Sequence, residues 1–93
     1  MFIVSLTYKT DLSEADKHFD AHIAFIEKYY SLGKIISSGK KVPRTGGVIL
    51  MRASSKEEVE TIIKEDPFYF EGVADFDIIE FLPTRAAKGF ESL

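Results

Sequence analysis

The sequence predicts an α+β fold of the ferredoxin-like kind, βαββαβ with a four-stranded antiparallel sheet and both helices on one face. Three observations lead there. Residues 2–8 and 74–82 alternate with the two-residue period of strands, residues 13–32 and 56–65 carry helical periodicity, and two further apolar runs flank the turn-forming stretch PRTGG. Ninety-three residues, 45% of them hydrophobic, make one domain over 1–93 the expected organisation.

Taken in order, FIVSLTY places Phe2, Val4, Leu6 and Tyr8 on one face and Ile3, Ser5 and Thr7 on the other. Ser13 is the expected N-cap of the first helix, with Glu14 and Asp16 favourably set in its first turn and Gly33 after its end. Along that helix Ala15, Phe19, Ile23, Ile26 and Tyr30 form an apolar arc flanked by His18, Phe25 and Tyr29, with Asp16, Asp20 and Glu27 on the solvated side. His22 lies within the apolar arc. Residues 34–42 read as a strand interrupted at Gly39, 43–47 as a turn, and 48–53 as the return strand.

Ser54 and Ser55 offer caps for the second long helix, whose core side carries Val59, Ile62 and Ile63. Pro67 ends it, because the residue before a proline is pushed out of the α region. In DPFYFEG, Asp66 is placed to cap a single turn with Pro67 at its first position and Gly72 at its exit. The last strand sets Phe76, Ile78 and Leu82 against Ile79 and Phe81, and the tail after Pro83 is irregular, a candidate interaction arm. With the helices on one side, Ile3, Ile79, Phe81 and part of VILM populate the open sheet face. An apolar patch of that size predicts a homodimer packed sheet to sheet.

Composition narrows the chemistry. With no cysteine, thiolate catalysis, disulfides and Cys-bound zinc are excluded. Asn and Gln are also absent, so a site must draw on hydroxyls, charges, His and backbone. A net charge of −3 with scattered Lys and Arg opposes a nucleic-acid surface. The N-terminal apolar run is too short to span a membrane and lacks a preceding basic segment, so no membrane contact and a cytoplasmic location are expected. GxGxxG, P-loop, GxSxG, HExxH and EF-hand patterns are missing, and His18 and His22, four residues apart, have no completing ligand motif; no metal and no cofactor are expected.

Singly, His22 reads as a core imidazole and Asp66 as a helix cap. Together they mean more. The βαββαβ topology can bring the segment after the second helix to the edge of the first, where a carboxylate holding one ring nitrogen leaves the other for proton transfer. Ser38 and Gly39 lie where a ligand could approach the strand backbone, and Arg44 in the following turn could receive an anionic oxygen. These three are the candidate substrate contacts.

The segments AHIAFIEKYYSLGKIISSG, SGKKVPRTGGVILM and EDPFYFEGVADFDIIEF, in that order, resemble the YCII-related (YciI-like) family of small dimeric α+β barrel proteins over nearly the whole chain. The resemblance implies a ferredoxin-like protomer, sheet-to-sheet dimerisation and a His and Asp proposed as an acid/base pair, carried here by His22 and Asp66. Where the family often has Pro after the Ser-Gly of its second strand, this chain has Lys40, which alters the pocket wall. One family branch resembles lyases that remove HCl from chlorinated hydroxylated aromatics. The implied activity is cofactor-independent proton transfer of lyase or isomerase type on a small acidic cyclic or aromatic substrate. The contrasting reading is a ligand-binding or regulatory dimer without turnover.

Overall fold

The computed structural model describes residues 1–91; Ser92 and Leu93, the end of the tail and of the expected domain, lie outside the described residues. The strands are β1 (Phe2–Tyr8), β2 (Ile35–Lys40), β3 (Gly46–Met51) and β4 (Ala74–Glu80). The helices are α1 (Leu12–Lys17), α2 (Phe19–Ser31), α3 (Lys56–Ile63) and α4 (Pro67–Phe70). All neighbouring strands pair antiparallel in the order β2-β3-β1-β4, the ferredoxin-like arrangement.

Alternation decides which side of the sheet meets the helices. Phe2, Val4 and Leu6 of β1 with Ile49 and Met51 of β3 are buried against Ala15, Phe25, Ile26, Tyr29, Val59, Ile62, Ile63 and Phe68. A large apolar side chain buried this fully contributes about 1.5–3 kcal/mol, so the shared core, more than helix propensity, holds the short helices in place. On the opposite face the register aligns Ile79, Ile3 and Leu50 in one cross-strand row, with Asp77, Ser5 and Val48 in the next.

The expected single first helix is two. It starts at Leu12 after Asp11, which makes no side-chain cap, so Ser13 is not the N-cap. It then breaks at His18, where φ −105° and ψ 5° accompany a tight bond from His18 N–H to the Ala15 carbonyl at 3.1 Å. Periodicity is blind to such a break, since losing one residue's helical geometry hardly changes the angular phase of the apolar positions. At the other end, Gly33 with φ 73° closes α2, its N–H bonding Tyr30 O and that of Lys34 bonding Tyr29 O, a Schellman close.

The buried face of α2 is also rotated from the expected arc. Phe25 and Tyr29 lie in the core with Ile26, whereas Phe19 and Tyr30 are exposed. The cause is a cavity: Phe19, Ile23 and Ile26 form part of its wall, so the oily arc divides between packed core and hollow.

The expected interruption of β2 at Gly39 is displaced. The strand continues through Gly39 to Lys40, and its irregularity falls at Ile36, because Ile35 pairs with Met51 while Ser37 pairs with Leu50. That bulge reverses the alternation, so Ser38, opposite Ile49, shares the helix-covered face with Ile35. β3 begins at Gly46, two residues earlier than expected. β4 ends at Glu80; Phe81 makes one further bond to the Met1 carbonyl, and Leu82, expected on the core side, is 77% exposed beyond the ladder. Neither helix nor strand follows up to Glu91.

Candidate functional site

The site begins with a helix cap. Asp66 has extended backbone geometry ahead of Pro67, and its Oδ1 accepts the Phe68 N–H at 3.0 Å, closing the first turn of α4. The same Oδ1 lies 2.8 Å from His22 Nδ1. Asp66 is wholly buried, and its Oδ2 has no partner among the described residues. A carboxylate only accepts, so Nδ1 carries the proton in this contact and Nε2 is the nitrogen left over for a ligand.

The ring is held on its faces as well. His22 and Phe68 stack with centroids 4.0 Å apart and planes 3° from parallel, while Phe19 and Phe25 approach at 6.4 Å. The α4 turn therefore restrains His22 twice, through the carboxylate and through Phe68. The His22 side chain remains 12% exposed.

That exposure opens on a cavity of about 500 Å³ lined by His22 and Phe68, by Leu6 and Tyr8 of β1, and by residues of α1, α2, β2 and β3, a volume in the range of small-molecule sites. Ser38, Gly39 and Arg44 line it too. Ser38 Oγ lies 2.8 Å from the Tyr30 hydroxyl, a Cβ placed on Gly39 would meet nothing within 4 Å, and Arg44 Nη2 donates to Asp16 Oδ1 at 2.8 Å. All five expected residues thus belong to one neighbourhood, with Asp66 behind the wall and the other four on it. His18 is turned elsewhere, 4.0 Å from Glu71, and no group of three or more His, Asp or Glu suited to a metal occurs among the described residues.

A family model of the YCII-related domain matches residues 1–82. The chain belongs to the YCII-related family. In overall shape this YCII-related chain is similar to the 5-chloro-2-hydroxyhydroquinone dehydrochlorinase TftG of Burkholderia phenoliruptrix, solved with 2,5-dihydroxybenzoquinone. The TM-score is 0.73 at 21% identity, over 88% of this chain and 94% of that one, a likeness that shows the fold. Over 50 residues, 54% of the chain, it is 38% identical to the aspartate kinase FUB3 of Fusarium oxysporum f. sp. lycopersici and 36% identical to the fusaric acid biosynthesis protein 2 of Gibberella fujikuroi. Those matches span 9% and 48% of the two curated relatives.

Several wall residues of this YCII-related chain escaped sequence reasoning. Phe68 sits in the quoted Asp-Pro-aromatic segment, two residues past the cap; Tyr8 and Asp16 carried no signal, because they reach the cavity only through the tertiary arrangement, whereas Lys40, expected to alter the pocket wall, does line it. No membrane-spanning helix occurs among the described residues.

A second tie supports the dyad. Glu65, beside Asp66, accepts from Lys28 Nζ at 2.7 Å and from the Tyr29 hydroxyl, so α2 grips this segment at two points two helical turns apart. The Lys28 ammonium first, and then the Tyr29 hydroxyl, hold the Glu65 carboxyl below its ordinary value. A depressed folded value stabilises above the unfolded one, near 4.3, and that contribution is lost as pH falls through the folded value. Glu65→Gln is accordingly expected to flatten the fall of urea midpoint below about pH 4 while leaving its slope above pH 6 unchanged. An identical acid limb in the variant would count against the tie.

Proposed function

We propose that the protein is a cofactor-independent acid–base enzyme of lyase or isomerase type, dehydrochlorinase-like, acting on a small acidic cyclic or aromatic substrate. The observation that carries this reading is the 2.8 Å contact between buried Asp66 and the Nδ1 of His22, a residue of the cavity wall. Asp66 orients the ring and supports the imidazolium; His22 Nε2 takes a proton from an acidic C–H or O–H, the released electron pair forms a double bond, and a leaving group departs with its own pair. In HCl loss that group is chloride. Ser38, the Gly39 backbone and Arg44 are the proposed substrate contacts, with Arg44 receiving an anionic oxygen.

The test is turnover. Chlorinated hydroxyhydroquinones and related cyclic acids incubated with the protein should release chloride or isomerise at a rate that depends on His22. Tight retention of such compounds without chemical change would replace catalysis with ligand binding.

The same proposal includes a homodimer through the open sheet faces and a single domain over 1–93. It is supported by the Ile79, Ile3 and Leu50 row, extended by Val48 and Phe81, with Ile79 54% exposed in the single chain. Sedimentation over a dilution series should show a dimer, and Ile79→Asp should weaken it about thirtyfold or more. A wild-type monomer at high concentration would remove the dimer from the proposal.

A further inference from the structure

Asp16 belongs by periodicity to the solvated side of its helix, yet it lines the cavity. Its Oδ1 accepts from Arg44 Nη2, bridging α1 to the loop between β2 and β3, and the guanidinium lies 5.9 Å from the Tyr8 ring centroid. Among the described charged side chains of that wall, Arg44 and Lys40 are cationic and Asp16 alone is anionic. The bridge is wet, with the Arg44 and Asp16 side chains 36% and 60% exposed. Such a pair is screened and easily exchanged for another carboxylate of better geometry.

We infer that Asp16 is an intramolecular stand-in for the substrate's anionic group: it holds Arg44 until an incoming oxyanion displaces it. The inference rests on the reading of this cavity as the substrate site and adds a specificity-determining residue to it. A neutral ligand of the same shape cannot replace the Asp16 carboxylate on the guanidinium, so the exchange selects small monoanions whose apolar body meets the wall formed by Leu6, Phe19, Ile23 and Phe68. Lys40 adds a second positive charge on the same wall and favours the same ligands.

The experiment is a titration with benzoate and with benzamide, followed by amide shifts of the Gly46 and Gly47 backbone at the cavity wall. Wild-type protein should bind benzoate in preference to benzamide. Asp16→Asn should tighten benzoate about three- to fivefold, the size of a screened surface pair, and leave benzamide unchanged. Arg44→Gln should remove the benzoate preference and cancel the Asp16→Asn gain, as a double-mutant cycle requires for a direct competitor. Asp20→Asn, which deletes an equal charge from the first turn of α2, should give a smaller gain. The inference is overturned if Asp16→Asn binds benzoate no better, if benzamide gains equally, if the gain survives Arg44→Gln or is matched by Asp20→Asn, or if benzoate binds neither protein. Because binding is read, not turnover, the pattern should persist in His22→Ala. An active His22→Ala with the pattern intact would sink the catalytic reading alone.

Discussion

His22→Ala is expected to lower kcat on the cavity's substrate by about a thousandfold, the usual contribution of a positioned acid or base. It should also cost about 3 kcal/mol of stability, or on the order of 15 °C in Tm for a chain of this size, because the buried Asp66 carboxylate loses the N–H that donates to it. His22→Gln separates the two effects: an amide can still donate to Asp66 Oδ1 but cannot accept and return a proton, so stability should largely return while activity does not. Asp66→Asn keeps the volume and an acceptor for the Phe68 N–H but not the charge behind the ring. It should lower kcat about 10- to 100-fold with KM nearly unchanged, the pattern of a group that acts through another. Full activity in His22→Gln would end the dyad mechanism.

The largest structural effect is expected from Gly46→Ala. A Cβ at Gly46 would stand 1.8 Å from the Leu6 carbonyl oxygen and 2.7 Å from its carbon, and both are backbone atoms of the central strand. Leu6 and Thr7 are held opposite Gly47 and Gly46 in the β1–β3 ladder, so the overlap can be relieved only by parting the strands. A cost of about 3 kcal/mol or more follows, at the upper end for overpacking because no flexible side chain can move aside. Gly39→Ala is the control: a Cβ there meets nothing within 4 Å, and a change within about 1 kcal/mol is expected. Urea denaturation of both variants decides the matter, and a Gly46→Ala midpoint equal to that of Gly39→Ala would refute the close-approach argument.

Much of the fold is legible because it is written in local repeats. The alternation through FIVSLTY sorts Phe2, Val4 and Leu6 into the core, and the Ser55 cap, which accepts the Glu58 N–H at 3.1 Å, opens α3 where the serines suggest it. Asp66 ahead of Pro67 announces its own turn for the same reason. The break at His18 and the rotated burial of α2 are not legible, since one preserves the angular phase of the pattern and the other depends on where a hollow lies.

By itself, then, the sequence determined strands, helices, caps and a short set of chemically capable residues, all of which depend on neighbours a few positions away. Tertiary structure alone decided which of them meet. His22 and Asp66 are 44 residues apart and come within 2.8 Å only because α2 and α4 pack on one sheet face. The bulge at Ile36, which turns Ser38 toward the cavity side, exists only in the pairing of β2 with β3. Asp16 faces Arg44 for the same reason: contacts between distant segments are set by how surfaces pack together, and local periodicity carries no record of them.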